Sequence, residues 1–209
     1  MNSPADKAAL RAHLLGLRRQ ASEAQPQAGA ALAEAFPDAW VPEIADCIAG
    51  YWPLAGEMDP RPLMARLAAC GHSICLPVVI GDGEPLVFRA WQTGDQLERK
   101  GFGVMEPHAR QSDCQPSLLL VPLLGCDRRG NRLGFGKGYY DYTLAALRAT
   151  QPVRAVGLAF DCQVVADLPV QGHDQPLDAL VTESRFVVFD RSSGDAKARS
   201  GRDDVHRYT

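Results

Sequence analysis

The stretch that most constrains this chain is residues 132–141, Arg-Leu-Gly-Phe-Gly-Lys-Gly-Tyr-Tyr-Asp. Glycine at every second position (Gly134, Gly136, Gly138) removes the Cβ atoms that would crowd a ligand. Successive backbone N–H groups can then turn toward one concavity and let an anion approach. Lys137 adds a mobile point charge inside the loop and Arg132 a planar fork, both suited to the oxygens of a polyphosphate. Residues 139–148 contain no Gly or Pro and place Leu144 and Leu147 at helical spacing. The loop is therefore predicted to feed a helix, whose N-terminus favours anions. Asp141 lies in the first turn of that helix and would repel phosphates unless a cation lay between them. Mg²⁺, held by a carboxylate and phosphate oxygens, is the simplest such cation.

The loop fits neither common nucleotide signature. It lacks Gly-x-x-x-x-Gly-Lys-Ser/Thr, and its third glycine comes one residue too early for Gly-x-Gly-x-x-Gly. A glycine-rich connection between a strand and a helix is the plain alternative. Arg132, Lys137 and Asp141 favour a phosphate site over it, because a bare connection needs no such charges.

At 209 residues the chain is long enough to bury a full core as one domain. A formal net charge of −3 leaves no broad basic footprint for nucleic acid, though a local cationic pocket is compatible with it. The longest nearly apolar run, residues 118–124, is broken by Pro122 and far too short to cross a bilayer. With no signal-peptide pattern at the start, a cytoplasmic location is expected. The 6 cysteines form no Cys-x-x-Cys pair and no Cys/His cluster of zinc spacing, so they read as reduced, structural thiols.

Read in order, Ser3-Pro4-Ala5-Asp6 starts a helix predicted to reach about Ala21. Leu10, Leu14 and Leu17 form its apolar stripe, and Lys7, Arg11 and Arg18 a basic stripe beside it. That stripe is either an ordinary solvated face or a set of cations reaching into a neighbouring cleft. Residues 27–36 predict a second helix, 44–52 a buried strand, 60–71 a helix, and 73–79 and 86–91 two strands, the latter at an edge. Residues 118–122, 153–160, 179–182 and 186–189 supply further strands, and Asp161 is expected to cap a short helix through Asp167. Strands alternating with helices predict an α/β domain over residues 1–189, a largely parallel sheet flanked by helices in a Rossmann-like three-layer arrangement. Its ligands belong at the carboxyl ends of the strands. Residues 190–209 hold only Val205 and Tyr208 as large apolar or aromatic groups, so they are expected to form a flexible C-terminal tail.

Two loops hold the remaining candidates. In Trp52-Pro53-Leu54-Ala55-Gly56-Glu57, the carboxylate could accept two hydrogen bonds from a guanidine-like ligand edge while Trp52 packs on a flat ring. In Gln171-Gly172-His173-Asp174, Asp174 could be a second carboxylate for the metal, since Mg²⁺ takes one or two. His173 reads as a surface histidine.

Taken together these segments resemble the 5-formyltetrahydrofolate cyclo-ligase family, also called methenyltetrahydrofolate synthetase. The resemblance rests on Lys7-x-x-x-Arg11 with Arg18-Arg19, on Tyr51 through Asp59, and on Phe102-Gly-Val-Met-Glu-Pro107. It continues through Leu120-Val-Pro122, Asp127, Gly130, residues 132–141, Gly157-Leu-Ala-Phe160 with Gln163, Leu168-Pro-Val170 and His173-Asp174. What it implies is an ATP- and Mg²⁺-dependent conversion of 5-formyltetrahydrofolate to 5,10-methenyltetrahydrofolate, with ADP and phosphate released. By position, Lys7, Arg11, Arg132, Leu133, Gly134, Phe135, Gly136, Lys137, Gly138, Tyr139 and Tyr140 would bind ATP. Arg11, Trp52, Glu57, Phe135, Gly136, Lys137, Gly138 and Tyr139 would touch the folate, and Asp141 and Asp174 would bind Mg²⁺. Lys137, Arg132 and Arg11 would carry the catalytic charge. The expected partners are small molecules, with no nucleic acid and no membrane, and a monomer is expected.

The rival readings are an ATP-independent enzyme on a similar sheet, such as a sugar-phosphate isomerase or a coenzyme A transferase, and a noncatalytic folate or nucleotide binder. Neither would release ADP.

Overall fold

The computed structural model describes residues 4–42, 47–190, 198–199 and 206–208. The chain opens with α1 (Pro4–Ala24) and α2 (Ala28–Ala35), then enters the sheet at β1 (Ile48–Ala49). Next come α3 (Arg61–Ala69), β2 (Ile74–Val78) and β3 (Val87–Trp91), then a hairpin of β4 (Leu97–Arg99) and β5 (Met105–Pro107). β6 (Asp113–Cys114), β7 (Leu118–Pro122), β8 (Gly125–Asp127) and β9 (Arg132–Leu133) precede α4 (Tyr139–Arg148). β10 (Arg154–Leu158), β11 (Val164–Val165), β12 (Ala179–Val181) and β13 (Phe186–Phe189) follow, then β14 (Ala198–Arg199) and β15 (His206–Tyr208).

The main sheet runs β14-β15-β13-β12-β10-β7-β1-β2-β3-β6. Its centre, from β12 through β10, β7 and β1 to β2, is parallel, and β13 and β3 bracket that centre in the opposite direction. The layering follows from β7. Leu118 and Leu120 pack with Leu32 of α2, with Phe36 just after it, and with Leu63 and Leu67 of α3 on one face. Leu119 and Val121 pack with Leu144 of α4 on the other. All four β7 residues are fully buried, which is why the segment reads as one continuous apolar run rather than an alternating one. Burial of each such side chain contributes about 1.5–3 kcal/mol. The expected three-layer α/β architecture is thus what forms.

Several expectations are corrected in detail. The strand predicted over 44–52 is described only as β1, because residues 43–46 lie outside the described residues and the chain leaves the sheet after Ala49. Residues 86–91 do not form an edge, since Cys114 and Asp113 of β6 pair with Phe88 and Arg89. The short helix expected from Asp161 to Asp167 is a single 3₁₀ turn, Asp161–Gln163, before β11. Beyond Asp190, where a flexible tail is expected, β15 pairs in parallel with β13 and β14 pairs with β15. An open sheet edge can be extended by backbone hydrogen bonds alone, which need no large apolar side chains. Residues 191–197, 200–205 and 209, like the Ser3 cap, lie outside the described residues.

A small sheet, β11-β8-β9, was not legible as strands and is what carries the chain from β7 to the glycine loop. Its hairpin turns on Asp127, 1% exposed. Asp127 Oδ1 accepts from Arg129 N at 2.9 Å and Asn131 N at 3.0 Å, and Oδ2 from Asn131 Nδ2 at 2.8 Å and Leu168 N at 3.3 Å. One buried carboxylate thereby fixes the turn that delivers Arg132.

Close packing also constrains β10. A Cβ on Gly157 would stand 2.6 Å from Leu177 Cδ1 and 2.7 Å from Leu123 Cδ2. Gly157→Ala is therefore expected to destabilise the fold by about 2 kcal/mol through overpacking. A denaturant midpoint equal to that of the wild type would contradict this.

Candidate functional site

The glycine loop lies between β9 and α4, and α1 runs across it. Gly136 and Gly138 have φ of 95° and 73°, the left-handed region where only glycine sits without strain. Gly138 is the residue immediately before α4, so the loop delivers its backbone to a helix N-terminus as expected. Arg11 of α1 donates from Nε to Gly134 O at 2.9 Å. Its guanidinium covers Gly136, where a Cβ would meet Arg11 Nη2 at 3.2 Å. Lys7, half-buried, stands one turn earlier on the same helix. Of the basic stripe of α1, Arg11 lies on the loop backbone and Arg18 over the Phe135 ring, so these two are not a solvated face. Leu133 has a different part: its side chain is buried with Leu14, Leu124 and Leu168, and its carbonyl accepts from Leu124 N at 2.8 Å. It anchors the loop and turns no side chain toward a ligand.

Lys137 reaches Asp82 Oδ1 at 3.3 Å, and Tyr139 donates its hydroxyl hydrogen to the same oxygen at 3.0 Å. Asp82 sits in Gly81-Asp82-Gly83, the loop after the carboxyl end of β2. The Tyr139 hydroxyl and then the Lys137 ammonium hold the Asp82 carboxyl below its usual range. Both donors are at the exposed lip of the site, so this contact is weak and exchangeable. The sequence did offer a signal for Asp82, an acidic residue between two glycines just after a strand.

Arg132 and Asp141 do converge. Arg132 Nη2 lies 2.7 Å from Asp141 Oδ1, and the same oxygen accepts from Gln175 N at 2.9 Å. Arg132 Nη1 also donates to Gln175 O. Gln175 thus ties the segment carrying Asp174 to the first turn of α4. Asp174 Oδ2 accepts from Gln171 N at 2.7 Å, and its Oδ1 is 3.7 Å from His173 Nε2. Asp141 thus spends Oδ1 on Arg132 and Gln175, and Asp174 holds Gln171 N with Oδ2 while its Oδ1 lies near the His173 ring. That donor set, two carboxylates beside an anion-binding loop, suits Mg²⁺ completed by phosphate oxygens and water.

Glu57 follows β1. Its Oε2 accepts from Leu54 N at 2.9 Å, and its Oε1 lies 3.4 Å from Arg18 Nη1. The side chains of the pair are 3% and 6% exposed. The Arg18 guanidinium also stands over the Phe135 ring at 5.3 Å, so one arginine links the glycine loop to the Glu57 loop. Arg18 Nε is buried without a hydrogen-bond acceptor. Burial pushes the hydroxyl of Tyr140 up, with Glu57 adding to it. Trp52 stacks edge-on to Trp91 at 5.9 Å and lies under Arg61 at 5.3 Å, so part of its ring is already taken by the protein. Beside Glu57 a cleft of about 280 Å³ is lined by Gln25, Pro53, Leu54, Asp59, Arg61 and Phe160.

Burial is the main reason that Glu57 holds its proton above the ordinary value of 4.5, outweighing the pull of Leu54 N–H and Arg18. A carboxyl that binds its proton more tightly when folded contributes stability below the unfolded value and loses it as pH rises through the folded value. The stability advantage of the wild type over Glu57→Gln should therefore shrink as pH rises from mildly acid to neutral. Denaturant midpoints across that window check it; an advantage that grows with pH would contradict it.

The structure accordingly brings Arg11, Arg132, Lys137, Asp141, Asp174, Glu57 and Phe135 together, with Lys7 one helical turn before Arg11 on α1. Residues outside the sequence expectation, Asp82 and Gln175, join them, and Arg18 is drawn in from the basic stripe. Fold and site define a three-layer α/β enzyme with a glycine loop contacted by arginines. The chain matches the 5-formyltetrahydrofolate cyclo-ligase family over residues 3–183 and belongs to that family. Among curated relatives, the 5-formyltetrahydrofolate cyclo-ligase of Escherichia coli K12 is 36% identical over 150 residues, 68% of this chain and 80% of the relative. That of Mycolicibacterium smegmatis is 30% identical over 197 residues, 89% of this chain and 98% of the relative. Among solved structures, the NMR structure of Aquifex aeolicus 5,10-methenyltetrahydrofolate synthetase superposes with a TM-score of 0.71 at 28% identity, covering 94% of this chain and 98% of that one.

Proposed function

We propose that the protein converts 5-formyltetrahydrofolate to 5,10-methenyltetrahydrofolate with Mg-ATP, releasing ADP and phosphate. The observation that carries the reading is the gathering of Arg11, Arg132 and Lys137 around one glycine loop, with Asp141 and Asp174 beside it and the buried Glu57 carboxylate joined to it through Arg18 and Phe135. Closing the ring between the two folate nitrogens requires loss of the formyl oxygen, a poor leaving group. Transfer of the γ-phosphoryl group to that oxygen turns it into phosphate; the second nitrogen then attacks the activated carbon and phosphate departs. Such a transfer depends on positioning and on neutralising charge rather than on covalent chemistry by the protein.

The loop N–H groups and the N-terminus of α4 would receive the phosphates. Lys137, leaving Asp82, would follow the transferred group, and Arg11 and Arg132 would stabilise charge on its oxygens. Mg²⁺ at Asp141 and Asp174 would neutralise the phosphate oxygens. Glu57, which lines the adjoining cleft, would accept from the amino and ring N–H edge of the pterin there. We further place the protein among small-molecule enzymes of the cytoplasm, acting as a monomer; among the described residues no helix is long and apolar enough to cross a membrane.

The test mixes purified protein, Mg-ATP and 5-formyltetrahydrofolate and follows the near-ultraviolet absorbance of methenyltetrahydrofolate. Product that forms only with ATP is expected. Saturable ATP binding by folded protein with neither product nor ADP would replace this reading with a binding role, and product without ATP would replace it with an ATP-independent reaction.

A further inference from the structure

Three cysteines far apart in sequence meet on the α4 face of the sheet. Cys47 immediately precedes β1, Cys75 is the second residue of β2, and Cys114 ends β6. They belong to the apolar cluster that α4 covers with Leu144, and Tyr140 packs against the same cluster. Ser117 N donates to Cys47 O at 3.2 Å, which draws the segment after Cys114 across the start of β1. The three sulfur atoms lie within 4.8 Å of one another. Cys47 and Cys75 are 4% and 0% exposed, whereas Cys114 is only partly covered and opens the group to solvent. None of the three is in a disulfide. The absence of a zinc-like spacing in the sequence is thus overturned in space, because the strands supply a convergence that no local motif records.

We propose that Cys47, Cys75 and Cys114 bind one Zn²⁺ ion per chain, with the fourth coordination position open to water on the Cys114 side. Zn–S bonds of about 2.3 Å set tetrahedral sulfur separations near ~3.8 Å, so the thiols need to close by no more than about 1 Å. The step balances as three thiols plus Zn²⁺ giving a tris-thiolate complex of charge −1, with three protons released to solvent. Thiolates select soft or borderline cations over Mg²⁺. A divalent ion is favoured over a monovalent one because the latter would leave a charge of −2 among the apolar side chains that enclose the group, such as Phe88 and Leu119. Contact between the thiols and burial disfavour their ionised forms, and a cation reverses that balance; the Cys114 thiol is pushed up to about 11, burial being the largest cause. A bound ion would pin β1, β2 and β6 together, and its binding is read without turnover, so the proposal does not depend on the activity assigned above.

The experiment uses the whole reduced chain, stripped of metal and titrated with Co²⁺ and then Zn²⁺. One equivalent of Co²⁺ should give an intense thiolate-to-cobalt charge-transfer band, and one equivalent of Zn²⁺ should bleach it. Cys114→Ser should weaken Zn²⁺ binding by at least ~10-fold, the lower bound for disturbing a metal site. Cys70→Ser and Cys162→Ser, on exposed thiols elsewhere, should leave it unchanged. In the wild-type chain, one equivalent of Zn²⁺ should also slow alkylation of Cys114 by iodoacetamide about tenfold relative to Cys70 and Cys162, by peptide mass spectrometry. This arm decides the question if Cys114→Ser does not fold. A missing charge-transfer band, equal alkylation of Cys114 with and without Zn²⁺, or full binding by Cys114→Ser would each overturn the proposal.

Discussion

Lys137→Ala is expected to lower turnover by about 10²–10³-fold, the range for removing one preorganised group that meets charge developing in the transition state. The fold should be untouched. Lys137 is 54% exposed along its side chain, and its contact with Asp82, itself 81% exposed, is of the surface kind that contributes little. Thermal midpoint and far-ultraviolet circular dichroism should therefore match the wild type while the rate of methenyltetrahydrofolate formation collapses. Lys137→Arg keeps the charge but spreads it over a plane, and should recover only part of the rate. Turnover of Lys137→Ala within a few-fold of wild type would remove Lys137 from the chemistry.

The largest stability loss is expected at Asp127→Ala. The substitution strips the acceptor from Arg129 N, Asn131 N, Asn131 Nδ2 and Leu168 N in a buried turn. Hydrogen bonds to a charged acceptor are worth ~1.5–3 kcal/mol each, but they are not additive here, and a net loss of about 3 kcal/mol is expected. For a domain of this size that lowers Tm by roughly 10 °C. Asp127→Asn should recover part of the loss through one carbonyl oxygen. Activity per folded molecule should also fall, since this turn sets the position of Arg132. A shift under about 2 °C would mean that water satisfies these donors.

How far the sequence disclosed this molecule depends on how local each signal is. The bounds of α4 follow from a run without glycine or proline after Gly138, and the helix occupies those residues. β7 was legible because both of its faces are buried and every residue is therefore apolar. The two- and three-residue strands β8, β9 and β11 were not legible, because runs that short have no periodicity to read. Within the site, the loop cations could be named from spacing, but their partners could not. Asp82 meets Lys137 across 55 residues, and Arg18 meets Glu57 across 39. Arg18 is the instructive case. On a helical wheel it borders the apolar stripe and looks solvated, yet tertiary packing buries it against a carboxylate and an aromatic ring. Cys47, Cys75 and Cys114 show the same limit, since only the strand order brings them together.

The bracketing of the parallel strands by β3 and β13 has a consequence for reach. A strand that runs the other way presents its amino end at the functional rim, so between β13 and β3 the carboxyl ends turned there belong to β2, β1, β7, β10 and β12. With neighbouring strands about 4.8 Å apart, that ledge is roughly 19 Å long. Two elongated molecules cannot lie end to end on such a ledge. In the proposed reaction, crossing there would bring their reactive ends together, so a short ledge would favour contact between the two reactants.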